Sequence, residues 1–183
     1  MMAMIRTLCR HLDRFRRDSR GAVLVEMTLI TPLMLILSAG VFEFGNLIHN
    51  KLLMEAGLSD AARFAARCNS QLYTSYPGFT AIDCADIAAN IAVFGNAAGS
   101  GTPRISDWEK SGVTSNATVT IAAPASCRPA VVNGVTQYRS TTAQVCIVRA
   151  AGNYPYTGVG MLSFIGIGPI TLTGSHEERL IRF

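Results

Sequence analysis

Charge is scarce in this chain. Only 15% of its 183 residues are Asp, Glu, Lys or Arg, while 49% are hydrophobic. Soluble globular domains carry roughly 25% charged residues, and so apolar a chain is not disordered throughout. Catalytic machinery is missing as well. The three histidines, His11, His49 and His176, are scattered, and there is no metal-spaced His pair, nucleophile elbow, phosphate-binding glycine loop or Cys-His dyad. The five cysteines include no Cys-x-x-Cys and no nearby His that would suit zinc. Asp107 and Glu109 flank Trp108, but two acids in a Gly/Ser loop read as solvated residues rather than an acid/base pair. Asn116-Ala117-Thr118 matches a glycosylation acceptor by composition alone. These absences predict no enzyme, no cofactor and no metal. The length admits one domain plus a short accessory segment.

The charge that is present is uneven. Six arginines up to Arg20 stand against Asp13 and Asp18, which accounts for the whole net charge of +4 and leaves the remaining chain neutral. A basic tail on a neutral body argues against nucleic-acid binding, which would line a folded surface with positive charge. Directly after the arginines, residues 22–42 read AVLVEMTLITPLMLILSAGVF with one charge, Glu26. A bilayer-crossing helix needs about 20 apolar residues. The flanking arginines predict a cytoplasmic N-terminus, with the chain after residue 45 or so on the outer side. A cleaved signal peptide is the competing reading. Against it, the apolar run exceeds the roughly 7–15 residues of a signal core, and Leu37-Ser38-Ala39 is a poor substitute for an Ala-x-Ala site. A carboxylate inside a span costs roughly 2.5–3.5 kcal/mol, so Glu26 demands a partner unless it snorkels to the interface.

Beyond the span, residues 43–67 lack Pro, are rich in helix formers and place Phe44, Ile48, Leu52, Ala56 and Phe64 at helical spacing. They predict one helix continuous with the span, kinked at Pro32; Gly40, Gly45 and Gly57 read as sites of close packing or local unwinding. A loop follows Cys68 through Thr80. A second helix is expected over 85–94, with Asp83 near its start and Gly95-Asn96 as its stop. Residues 97–112 read as a loop. Strands are expected at 117–121, 142–148 and 170–173, with a hairpin through Asn133-Gly134. The segment between Arg149 and His176 has no charge but holds six glycines as well as Pro155 and Pro169, which argues against a second span. It reads as a buried or turn-rich part of the sheet, or, at 161–165, as an exposed apolar loop contacting a partner or lipid headgroups. The fold class is therefore α+β: a long N-terminal helix on a small, mostly antiparallel sheet with one short extra helix. Cys9 falls in the tail, and Cys68, Cys84, Cys127 and Cys146 fall on the exported side, an even number suited to disulfides. Pairs Cys68 with Cys84 and Cys127 with Cys146 close the shortest loops; nested and crossed pairings remain open.

Residues 20–26, Arg-Gly-Ala-Val-Leu-Val-Glu, resemble the cleavage region of type IV prepilins and pseudopilins, in which a membrane peptidase cuts after a Gly and the fifth mature residue is Glu. The fuller pattern of Gly21-Ala22, Glu26, Pro32-Leu33, Glu43-Phe44-Gly45 and Ala61-Ala62-Arg63-Phe64-Ala65-Ala66 resembles the TadE-like family, minor pilin-like proteins of the tight-adherence (Flp) pilus. The resemblance is specific over 20–67 and textural beyond, where 148–156 and 170–173 are similar to the family's terminal strands. The residue after the Glu, usually Tyr in Flp-type sites, is Met27.

The resemblance implies a leader at 1–21, a membrane helix at 22–67 and a periplasmic pilin-like head at 68–183. It implies prepilin peptidase, other pilins and minor pilins, the pilus assembly platform and the inner membrane as partners, with no nucleic acid. Cleavage after Gly21 would leave a cationic amine at Ala22 that can meet the Glu26 carboxylate of a neighbouring subunit. Two rivals stand beside this reading. One is an uncleaved membrane-anchored periplasmic scaffold and the other an anchored periplasmic hydrolase, which lacks a nucleophile constellation.

Overall fold

The computed structural model describes residues 19–69, 81–111, 116–137, 144–158, 160, 163 and 166–181. The arginine cluster up to Asp18, Cys9, most of the loop after Cys68, the start of the strand expected from 142 and, apart from Ser163, the loop at 161–165 lie outside them. The elements run α1 (Ser19–Arg67), α2 (Cys84–Phe94), β1 (Thr118–Pro129), β2 (Val131–Val132), β3 (Val135–Thr136), β4 (Gln144–Tyr156) and β5 (Ile170–Arg179). The fold is α+β, with a three-stranded antiparallel sheet ordered β1-β4-β5 and a separate β2-β3 hairpin. The chain divides into two compact units, Met1–Phe44 and Gly45–Phe183.

The described part of the first unit is helix alone, and it continues through Pro32. The second unit, the head, has a core. Along α1, Met54, Leu58, Ala61, Ala62 and Ala65 are buried, at the i, i+4, i+7, i+8 spacing that puts side chains on one helical face. They meet Val148, Ala150, Tyr154 and Tyr156 of β4 and Leu172 of β5 in one cluster. Glycines let the helix approach. Gly152 and Gly174 are register partners in β4 and β5. A Cβ at Gly152 would lie 3.3 Å from Leu58 Cδ2, and one at Gly174 would lie 3.1 Å from Met54 Cε and 3.2 Å from Leu58 Cδ1. The two bare backbones form a dent in which Met54 and Leu58 seat.

Helix α2 is stopped at both ends by the residues expected to stop it. Asp83 accepts from the amides of Ala85 and Asp86 at 3.0 Å each, which satisfies orphan donors of the first turn. Gly95 takes the left-handed conformation, φ 73°, and its amide returns to Ile91 O at 3.0 Å. The helix lies against α1 at Gly57, where an added Cβ would be 2.4 Å from Ala92 O. A disulfide joins Cys68, just past α1, to Cys84, the first residue of α2.

Two findings go beyond the sequence expectations. The described part of the expected loop, residues 97–111, is irregular as expected, yet it supplies core: Ile105 and Trp108 are buried. The indole stands by both α1 and β4, within 3.2 Å of a Cβ built at Gly57 and 3.6 Å of one built at Gly152. Arg104 holds this segment in place. Its amide donates to Val93 O at 2.7 Å and its guanidinium meets Asp60 at 2.7 Å. The strands are also longer than expected. β1 runs to Pro129 through an irregularity between Ala122 and Ser126, and Cys127 faces its disulfide partner Cys146 directly across the ladder. β5 extends through charged Glu177, Glu178 and Arg179, and α1 runs beside it: Arg63 pairs with Glu178 at 3.6 Å, Lys51 donates to Thr173 O, and the Ile181 amide donates to Ala66 O at 2.8 Å. In the hairpin, Asn133 and Gly134 have φ of 52° and 76°, the two positive values that a tight primed turn requires.

Candidate functional site: the exposed apolar helix

From Val23 to Phe42 the large apolar side chains of α1 point away from the chain in every direction. Leu29 is 72% exposed, Leu35 65% and Phe42 76%. A helix that is apolar all round is not stable with that surface in water, and the medium that suits it is a bilayer or other helices. By length and composition α1 is the single helix able to cross a membrane among the described residues, and none of its most apolar window is buried.

Its polar side chains fit such a medium. The hydroxyls of Thr28, Thr31 and Ser38 donate to the carbonyls of Leu24, Met27 and Met34, four residues back, at 2.7, 2.6 and 2.8 Å. Each donor is thereby satisfied inside the helix, as a water-free medium demands. Glu26 is different. It is exposed, and no hydrogen bond or ion pair engages its carboxylate among the described residues. Gly21 and Ala22 precede it on the same helix, also exposed, and a Cβ at Gly21 would meet nothing within 4 Å.

The remaining expected site residues are dispersed. Pro32 sits between Thr28 and Leu35 in a shallow apolar groove. Glu43 is buried, whereas Phe44 is exposed and Gly45 faces open space. Glu26 and Glu43 are separated by about 25 Å of helix at 1.5 Å per residue. Cys68–Cys84 and Cys127–Cys146 both lie in the head. No group of three or more His, Cys, Asp or Glu suited to a metal occurs among the described residues.

The model of the family described as TadE-like protein matches residues 21–63. Over these residues the chain is similar to that family. The matched segment contains Gly21, Ala22, Glu26, Pro32 and Glu43-Phe44-Gly45, and it ends inside the core-facing stretch of α1. The sheet lies outside it. No curated protein and no solved structure matches the chain significantly.

Sequence reading missed one cluster in the head. Asn46 and Asn50 of α1, Ser106 and Asp107 of the irregular segment, and Tyr154, Tyr156 and Thr157 at the end of β4 line an open cleft of about 180 Å³. Asn46 Nδ2 donates to the Tyr156 hydroxyl at 3.1 Å. Burial, then the Asp107 charge, push the Tyr154 hydroxyl above the ordinary tyrosine range, against a hydrogen bond with Thr157 that lowers it. The available signal was two asparagines four apart on the helix, hence on one face, and two tyrosines two apart in a strand.

Proposed function

We propose that the chain is a structural, minor pilin-like subunit that helps to assemble, prime or cap a tight-adherence (Flp) pilus. It spans the bacterial inner membrane once, with the arginine-rich N-terminus cytoplasmic and the head periplasmic, and it can pass into the pilus itself. The observation that carries the reading is an exposed apolar stretch of helix, residues 23–42, inside the segment similar to the TadE-like family, with one acid, Glu26, that nothing engages among the described residues, four residues after Ala22. The two disulfides suit an oxidising compartment.

The mechanism follows from the electrostatics. Prepilin peptidase cutting after Gly21 removes the basic leader that fixed the orientation and creates an ammonium at Ala22. In a bundle of such helices, together with other pilins on the assembly platform, that ammonium and the Glu26 carboxylate of a neighbour neutralise one another. Because an unpaired charge in that medium is costly, the pair sets the register in which a subunit enters.

Intact-mass analysis of the protein from its native membrane tests the processing step. The reading predicts a chain beginning at Ala22. Full-length protein in cells with active prepilin peptidase would contradict it and favour the uncleaved scaffold.

A further inference from the structure

Asn133 is the one asparagine of the chain that a glycine follows. It stands at the tip of the β2-β3 hairpin, where it and Gly134 are exposed, and no hydrogen bond engages its side chain among the described residues. Other asparagines differ. The Asn96 oxygen accepts from the Gly99 amide at 2.9 Å and its nitrogen donates to Ser100 O at 2.9 Å. Asn116 is exposed, but Ala117 after it carries a Cβ and is fully buried. Asn133 therefore combines an unengaged carboxamide with a following backbone nitrogen that no side chain shields. A Cβ built at Gly134 would meet nothing within 4 Å. In this arrangement a chain modifies itself. The Gly134 nitrogen gives up its proton, bonds to the Asn133 carboxamide carbon and expels the side-chain nitrogen, which takes up a proton and leaves as ammonia. Water then opens the five-membered imide at either carbonyl, giving aspartate or isoaspartate.

The folded turn restrains this step. Asn133 and Gly134 have φ of 52° and 76°, the left-handed pair of a primed two-residue turn, whereas the planar imide needs the Gly134 nitrogen turned to eclipse the Asn133 Cβ. The restraint is weak. Val131 pairs with Thr136 and Val132 with Val135, the Gln137 amide donates to Ala130 O at 2.8 Å, and no other strand joins the hairpin among the described residues. A two-stranded ribbon is marginal in water, and such an element opens locally far more readily than a core does. We propose that Asn133 is a deamidation site at which the head modifies itself, and that opening of the β2-β3 hairpin sets the rate; the inference does not rest on the pilin reading. Isoaspartate adds a methylene to the backbone, so the two-residue loop that fixes the strand register is lost. The hairpin then stays open, with a negative charge added beside the exposed Val132 and Val135.

The test ages the detergent-solubilised full chain at mildly alkaline pH and scores each asparagine peptide by mass spectrometry for loss of the amide, with fragmentation that distinguishes isoaspartate from aspartate. Asn133 should react about tenfold faster than Asn116, a barrier lower by about 1.4 kcal/mol. Isoaspartate should accompany aspartate, because the imide opens on both sides. Val132→Gly removes the cross-strand pair with Val135 and should speed the loss at Asn133 by about fivefold, the population change that about 1 kcal/mol of pairing gives, while the Asn116 rate stays the same. The variant should fold, since Val132 is exposed and lies outside the core. Amide loss at Asn116 ahead of Asn133, aspartate as the sole product at 133, or the same Asn133 rate in Val132→Gly would overturn the proposal.

Discussion

Leu29, Leu35 and Phe42 of the first unit are more than half exposed, whereas Met54 and Leu58, carried by the same helix α1, are fully buried in the head. Glycines show the same division. A Cβ at Gly40 would meet nothing within 4 Å, and one at Gly57 would strike the Ala92 carbonyl. The head half of α1 is explained by contacts within the chain: alanines and Gly57 are small because α2, Trp108 and the sheet come close. The apolar half has no such explanation among the described residues. On the proposed function its apolar surface is covered by lipid or by neighbouring subunits, and Glu26 is the residue for which those neighbours must provide.

The sharpest way to break this contrast is to truncate matched positions. Trp108→Ala should destabilise the head by about 3–5 kcal/mol, as large buried aromatics do, whereas Leu35→Ala should leave head stability within about 0.5 kcal/mol. Denaturant unfolding of the detergent-solubilised protein, followed by circular dichroism, measures both. Equal losses would mean that the first unit helps to hold the head core.

Within the head half of α1, glycine substitutions separate packed from open positions through sign. Gly57→Ala places a methyl 2.4 Å from backbone oxygen, which must shift at a cost of about 1–3 kcal/mol. Gly45→Ala adds a methyl in open space and should stabilise the helix by up to about 1 kcal/mol. The same unfolding measurement should therefore move in opposite directions for the two variants.

Much of the head was legible locally. Asp83, Gly95 and Asn133-Gly134 act within a few residues, and the structure uses them where sequence reading put them. What escaped depends on distant partners. Gly152 lies beyond the strand that local pattern placed at 142–148, and it is strand with Leu58 close against it. The run His176 to Arg179 has no alternating apolar pattern, and it is strand because β4 pairs with it and because Arg63 and Arg149 meet Glu178 and Glu177. Trp108 sits among loop-forming residues, and its burial comes from α1 and β4. The polar cleft lined by Asn46, Asn50, Asp107 and Tyr154 is drawn from three separate parts of the sequence and was invisible for the same reason. The apolar helix was plain because its signal is composition alone.

A smaller effect belongs to the head and leaves the apolar helix untouched. The folded state raises the Tyr154 pKa, chiefly through burial, so it holds the proton more tightly than the unfolded chain does. That contribution is fully present below the unfolded value of about 10 and is lost as pH rises through the folded value. Unfolding measured across this alkaline range should show a decline that Tyr154→Phe reduces, while Glu26→Gln leaves it unchanged.

The central claim is that Glu26 serves a partner outside the chain. Piliation and copurification with other pilins, measured for Glu26→Leu at matched membrane abundance, with N-terminal processing checked, test it most directly. Removing one member of a buried charge pair strands the other at a cost of about 3–5 kcal/mol. The account predicts a normally inserted, normally folded subunit that no longer assembles, with partial rescue by Glu26→Asp. Normal piliation by Glu26→Leu would contradict it.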